Sequence, residues 1–346
     1  MGQKNGLHVG LIGAGRIGAF HARTLTELAG VASLAITDVD PGRAERVAEQ
    51  VGVRRVETVE ALVESSVDAL VIATATPGHA PLLRLAARAG LPAFCEKPVA
   101  LDLATFDGVL EDVARTGILV QVGFQRRFDA AYRAAHDAVA TGAVGRILVM
   151  RAATHDPSPP PEEYIVASGG IFRDLHIHDF DAVRFVSGEE IVEVYADGAA
   201  LEAARLGQYG DVDVSVAVLR LTGGGLVILS GTRHDPLGYD VRLEVFGTSD
   251  TIAVGQDGRT PIRSVEPGVD PPAGPAYRNF LDRFEPAYRS ELAAFVAAVR
   301  AGGPSPCPLE EARAALSVAL AADRSRAERR PVSIEEVGLA PTPSTG

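Results

Sequence analysis

An apolar run from Leu7 to Ile12 is followed at once by Gly13, Gly15 and Gly18, in the spacing G-x-G-x-x-G, and a second apolar run ends on Asp38. This combination constrains the fold more than any other feature of the chain. A short apolar run before a glycine turn and a helical pattern reads as a buried parallel strand opening a βαβ unit. Gly13 permits the tight turn, Gly15 lets a pyrophosphate approach the backbone, and Gly18 lets the following helix pack closely on the strand. The helix N-terminus offers N–H groups and a positive dipole end to phosphates. Val31 to Thr37 reads as the second strand, with Asp38 at its carboxyl end. That is about 20 residues past the last glycine, where a carboxylate binds the adenosine ribose hydroxyls of a dinucleotide.

The alternation continues to residue 122. Strands are predicted at 7–12, 31–37, 53–57, 67–73, 92–95 and 118–122, with helices at 16–29, 41–51, 58–65, 78–90 and 102–116. Strands alternating with helices imply βαβ units and a parallel sheet. Asp40-Pro41 opens one helix, and Gly90 ahead of Pro92 closes another. Beyond this Rossmann domain the pattern changes. A charged helix, Phe128 to Ala140, leads to a strand at 146–153, a stiff Pro-rich segment at 156–161 and a helix at 171–186. Strands at 190–197, 211–221, 225–232, 240–246 and 250–254 then follow one another without helices, and helices at 287–301 and 308–327 finish the fold. Consecutive strands of this kind predict a large open, mostly antiparallel sheet in an α+β domain. The expected division is 1–122, 123–330 and a C-terminal tail from 331, disordered over Ala340 to Gly346.

Composition excludes several function classes. The net charge of −12 leaves no basic run to neutralise phosphates, so no nucleic-acid partner is expected. No apolar stretch approaches the length of a membrane span. The first apolar run is broken by glycines and Arg16, so it reads as a strand and not as a signal peptide. Cys95 and Cys307 form no C-x-x-C or zinc pattern, which suits two thiols in a reducing cytoplasm.

Dinucleotide binding leaves the substrate open, and two further segments bear on it. Glu96-Lys97-Pro98 closes the fifth strand, and ligands of open parallel sheets lie outside the carboxyl ends of the strands. A lysine there donates to a substrate oxygen and stabilises developing alkoxide charge. In the segment Gly169 to Asp181, Asp174 and His178 stand four apart and share one face of the predicted helix. The carboxylate fixes the imidazole, which suits the general-base role near neutral pH. His176, two residues from each, faces elsewhere. A metal pair His176-x-His178 would diverge on a helix, so no metal is expected. Oxidation of a secondary alcohol needs this set: a base, an alkoxide donor and a nicotinamide to take the hydride.

From Leu7 to about Arg324 the chain resembles the family named after glucose-fructose oxidoreductase, inositol dehydrogenase and a rhizopine catabolism protein. Glu96-Lys97-Pro98 is typical of it. The tokens closest to the inositol 2-dehydrogenase branch are Val122 to Asp129, Asp156 to Pro161, Ser168 to Asp174, Ile177 to Asp181 and Gly238 to Asp240. The resemblance implies a catalytic trio of Lys97, Asp174 and His178, with His178 the general base and the other two orienting the reacting hydroxyl. It implies a polyol substrate, with myo-inositol oxidised to 2-keto-myo-inositol as the best single choice and an aminocyclitol or pyranose as the alternative. It also implies homotetramers packed through the second domain's sheet. The candidate cofactor set is Gly13, Gly15, Arg16, Ile17, Gly18, Asp38, Thr74, Pro77, His79, Glu96 and Lys97, and the cofactor is NAD. A 2′-phosphate would meet Asp38, and unit charges at ~4 Å with an effective dielectric of ~20 repel by roughly 4 kcal/mol. The candidate substrate set is Lys97, Arg127, Asp156, Asp174, His178 and Tyr239. His155, Leu237 and Gln125 stand where the branch usually has Arg, Tyr and Met, and are expected to line the pocket.

Overall fold

Strands β1 (Leu7–Ile12), β2 (Val31–Thr37), β3 (Arg54–Arg55), β4 (Ala69–Ile72), β5 (Ala93–Glu96) and β6 (Val120–Gly123) form one sheet in the computed structural model, which describes residues 6–338. Their order is β3-β2-β1-β4-β5-β6, and every pairing is parallel. The order reverses between β1 and β4, which is where such sheets open a crevice for a dinucleotide. Local chemistry sets the helices between them. The Asp40 side chain accepts from the Arg43 N–H (3.1 Å) ahead of Pro41, and Gly90 ends another helix in the left-handed region at φ 68°.

The second sheet holds β7 (Ile147–His155), β8 (Ile191–Ala199), β9 (Val214–Leu221), β10 (Leu226–Thr232), β11 (Asp240–Gly247), β12 (Thr251–Val254) and β13 (Val332–Ser333). The order is β12-β11-β7-β10-β9-β8-β13, and only the β7–β10 pairing is parallel. Period-two alternation decides its two faces. Met150, Ala152 and Thr154 of β7 are buried, as are Ala217 and Leu219 of β9, while Val216 and Val218 stay exposed on the other side.

The chain divides into two compact units. Residues up to 125 join 286–313, and residues 126–285 join those from 314 onward. The expected boundary after 122 therefore moves only slightly, but 286–313 departs from the expected 123–330 domain. Leu292, Phe295 and Val296 supply the reason: they pack into the first unit's core with Val9, Leu11, Ile36, Val71 and Phe94. Two elements also differ from expectation. The helix predicted at 171–186 is two pieces, Ile171–Asp174 and Ile177–Ser187. The tail predicted from 331 begins inside the sheet, where Val332 pairs with Val194. The expected disorder from Ala340 to Gly346 lies outside the described residues.

Candidate active site

In the first unit the glycine turn follows directly from β1. Gly13 adopts φ 104°, and a Cβ there would lie 2.4 Å from the Ala73 carbonyl oxygen. A Cβ on Gly18 would lie 2.1 Å from the Gly13 carbonyl oxygen, so the helix Arg16–Glu27 sits as close to the turn as a missing side chain allows. Gly15 differs: its Cβ would meet nothing within 4 Å. Two glycines serve packing and the third leaves open space at a helix N-terminus, which is the cradle a pyrophosphate needs. Arg16 is exposed at that terminus, and half-buried Ile17 packs on the core.

Asp38 ties the end of β2 to this turn. Its carboxylate accepts from the Ala14 N–H (2.6 Å) and the Asp40 N–H (2.8 Å). Arg43 curls back to 3.7 Å from both Asp38 and Asp40. Two carboxylates to one guanidinium leave this corner negative, which suits a ribose diol better than a phosphate. The residues present thus fit NAD.

The strand-end loops are braced from beneath. His79, only 1% exposed, has Nδ1 2.8 Å from the Pro98 carbonyl oxygen and Nε2 3.0 Å from that of Thr74. Burial holds its pKa below the usual histidine value, and a neutral ring donates from one nitrogen only. The ring therefore bridges the turn containing Thr74 and Pro77 to the cis Lys97–Pro98 peptide, and its contribution to a cofactor site is support of these loops. Lys97 is half-buried, whereas Glu96 turns inward onto His21, with 2.6 Å between Oε1 and Nε2. Sequence reasoning passed over His21, which carries no motif of its own.

In the second unit Asp174 and His178 do not share one continuous helix. Asp174 ends the short helix, and the His176 N–H donates to the Ile171 carbonyl (3.0 Å), five residues back, in a wide turn. His178, half-buried, stands in the first turn of the next helix. The Asp174 carboxylate accepts from the Tyr164 hydroxyl (2.7 Å) and from Arg233 Nη2 (3.3 Å), and Arg233 is itself 1% exposed. A tyrosine and an arginine thus fix the carboxylate.

Asp179, next to His178 in the chain, belongs to a buried polar network that sequence reasoning missed. Arg126 Nη1 donates to Asp179 Oδ1 (2.5 Å), as does the Thr154 hydroxyl (2.8 Å). Asp179 Oδ2 lies 2.8 Å from His176 Nδ1, and His176 Nε2 lies 2.8 Å from the Ser215 hydroxyl. Burial alone would raise the Asp179 pKa, but Arg126 and His176 outweigh it and bring it to about 2. Both ring nitrogens of His176 are occupied. Tyr239 is buried with its ring edge on Phe284, and burial raises its hydroxyl pKa, so it stays protonated as a donor. Asp156 follows β7, its N–H donating to the Thr232 carbonyl and its carbonyl accepting from the Asp235 N–H (both 2.8 Å).

Two further candidates have well-defined surroundings. Arg127 is engaged by Asp181, with Nε and Nη2 donating at 2.7–3.1 Å, and it lies 5.2 Å from the Phe185 ring centroid. Asp181 and the Phe185 ring hold the guanidinium in one orientation, as Tyr164 and Arg233 hold Asp174. His155 alternates with Thr154 and so lies on the open sheet face, near Ser230 (3.2 Å), Asp235 (3.7 Å) and Asp240 (3.8 Å). Leu237 is exposed and Gln125 is buried.

A model described as an oxidoreductase family with an NAD-binding Rossmann fold matches residues 7–124, and one for the GFO/IDH/MocA C-terminal domain matches 132–253. The chain belongs to the GFO/IDH/MocA family. This GFO/IDH/MocA oxidoreductase is 37% identical to the myo-inositol 2-dehydrogenase of Thermotoga maritima, over 96% of its own length and 99% of the relative's. It is 39% identical to the inositol 2-dehydrogenase of Rhizobium meliloti, over 94% and 98% respectively. Among solved structures, scyllo-inositol dehydrogenase from Lactobacillus casei with NAD(H) and scyllo-inositol superposes with a TM-score of 0.86 at 27% identity, covering 95% of this chain and 99% of that one.

Proposed function

We propose that this GFO/IDH/MocA protein is an NAD-dependent inositol 2-dehydrogenase, oxidising a ring secondary hydroxyl of a cyclitol, with myo-inositol to 2-keto-myo-inositol as the reaction. The observation that carries this reading is end-to-end similarity to inositol 2-dehydrogenases in a chain that has Lys97, Asp174 and His178 at the motif positions. NAD, when bound, supplies the hydride acceptor. His178 takes the hydroxyl proton. Asp174, fixed by Tyr164 and Arg233, and Lys97 bind and orient the reacting oxygen. Asp156 and Tyr239 add hydrogen-bonding groups for the remaining hydroxyls. A site built to pair hydroxyls rejects analogues lacking them, because its polar groups would be left unpaired. Reduction of NAD by myo-inositol, scyllo-inositol, an aminocyclitol and glucose, ranked by kcat/KM, tests the assignment. Activity confined to phosphorylated sugars or acyclic alcohols contradicts it, and a preference for the aminocyclitol selects the second reading.

The same reading includes a homotetramer built through the open sheet face. Val218 sits between Ile228 on β10 and Tyr195 on β8, with Val216 and Leu226 alongside, and these five side chains are 37–52% exposed. A contiguous apolar row of this kind marks an interface. Light scattering should give four chains for the native protein and fewer for Val218→Lys/Ile228→Lys; a native monomer overturns the assembly. No helix among the described residues is long and apolar enough to cross a membrane, and neither cysteine forms a disulfide. Both facts support a cytoplasmic location.

A further inference from the structure

Three ionisable side chains meet in the core of the first unit, and one of them, Glu96, directly precedes Lys97. His21 comes from the helix Arg16–Glu27, Glu96 from the end of β5, and Glu291 from the helix Phe280–Ala301. All three are buried, Glu291 and His21 completely, and one ligand atom from each lies within 4.8 Å of the others. Phe94 and Tyr288 stand against His21, with ring centroids at 5.6 and 6.0 Å, so the surroundings are largely aromatic. Two carboxylates and an imidazole suggest a metal at first sight. The geometry decides against one. His21 Nε2 and Glu96 Oε1 are 2.6 Å apart, whereas two ligands on one tetrahedral ion with bonds near 2.0–2.1 Å stand about 3.3 Å apart. A separation of 2.6 Å holds a proton.

Glu291 is the unusual member. Neither of its carboxyl oxygens meets a hydrogen-bond partner among the described residues, although its main-chain carbonyl accepts from the Gln121 side chain of β6 (2.9 Å). A buried carboxylate without a donor, beside a second carboxylate, is unfavourable, and the group neutralises instead. Burial first, and then Glu96, push its acid well above the usual carboxylate range. The other titratable groups around the cluster include Cys95 beside Glu96, whose thiol burial keeps protonated, Lys97 next to Glu96 in the chain, His79, which feels the Glu96 charge, and Tyr288 on Glu291's own helix.

We propose that Glu291 is a neutral carboxylic acid and a positioning residue: with His21 it fixes the Glu96 side chain and thereby the Glu96-Lys97-Pro98 turn. The 2.6 Å contact with His21 orients the Glu96 carboxylate, and an ionised Glu291 would repel it from His21. The positioning half of this inference rests on the proposed role of Lys97, while the protonation half does not. Infrared spectroscopy of the intact protein at neutral pH should therefore show the carbonyl stretch of a protonated carboxylic acid, lost in Glu291→Gln. Glu291→Leu should lower kcat with the best polyol by about tenfold, as misplacement of a reacting group does, with little change in KM for NAD, and Glu291→Gln should recover most of that loss. Absence of the band in the native protein overturns the protonation, and stoichiometric divalent metal in the purified protein overturns it equally. Full turnover in Glu291→Leu, or no recovery in Glu291→Gln, overturns the positioning role. If no polyol is turned over by the native protein, the functional reading fails while the infrared result still judges the acid.

Discussion

Replacing His178 with alanine is expected to lower kcat for polyol oxidation by about 10²–10⁴-fold, the range for a positioned proton-transfer group. The other histidine of the segment is in no position to take over. His176 is fully buried, and its nitrogens are committed to Asp179 and Ser215 at 2.8 Å. The affinity for NAD should not change, because the glycine turn and Asp38 belong to residues 7–38 and owe nothing to His178. Turnover and NAD binding measured on the same variant separate the two effects. Near-native kcat in His178→Ala contradicts the assignment of the base.

Removing one partner of the Arg126–Asp179 pair is expected to destabilise the protein by about 3–5 kcal/mol, because the survivor is a buried charge without its counter-ion. Both side chains are at most 2% exposed. Asp179→Ala also removes the acceptor of the Thr154 hydroxyl and the partner of His176 Nδ1, whereas Arg126→Met leaves the carboxylate. Replacing both with apolar residues should recover part of the loss. The sign of the pH dependence follows from the lowered pKa of Asp179. Its folded value, about 2, lies below the ordinary 3.8, so its contribution is present above about pH 4 and disappears as pH falls through about 2. Chemical denaturation of the native and variant proteins across that range measures both effects. Equal stability of Asp179→Ala and native protein refutes the clamp.

The parts of this molecule legible in the sequence are those where a local pattern has one structural outcome. Gly13, Gly15 and Gly18 after an apolar run, with Asp38 closing the next, leave little choice but a strand–turn–helix with an acid at the neighbouring strand end. Lys97 is legible for the same reason, as a strand-end residue of a parallel sheet. The interruption at Leu175–His176 is not, because a 3.6-residue periodicity over eleven or so positions reads through one wide turn. The network around Asp179 is hidden more deeply. Arg126 and Asp179 are 53 residues apart and His176 and Ser215 are 39 apart, so nothing local pairs them. The partner of Arg127 is hidden for the same reason: Asp181, which holds it, lies 54 residues on. The stripe of Leu292, Phe295 and Val296 announces a buried helix face, but not which core it enters.

The account centres on transfer of hydride from a ring carbon of a cyclitol to NAD. Myo-inositol carrying deuterium on the carbon of its reacting hydroxyl, incubated with the purified protein and NAD, tests this directly. The deuterium should appear in the reduced nicotinamide as NAD is consumed, with a far lower kcat/KM when NADP replaces NAD. No nicotinamide reduction, reduction without the label, or a preference for NADP contradicts the account.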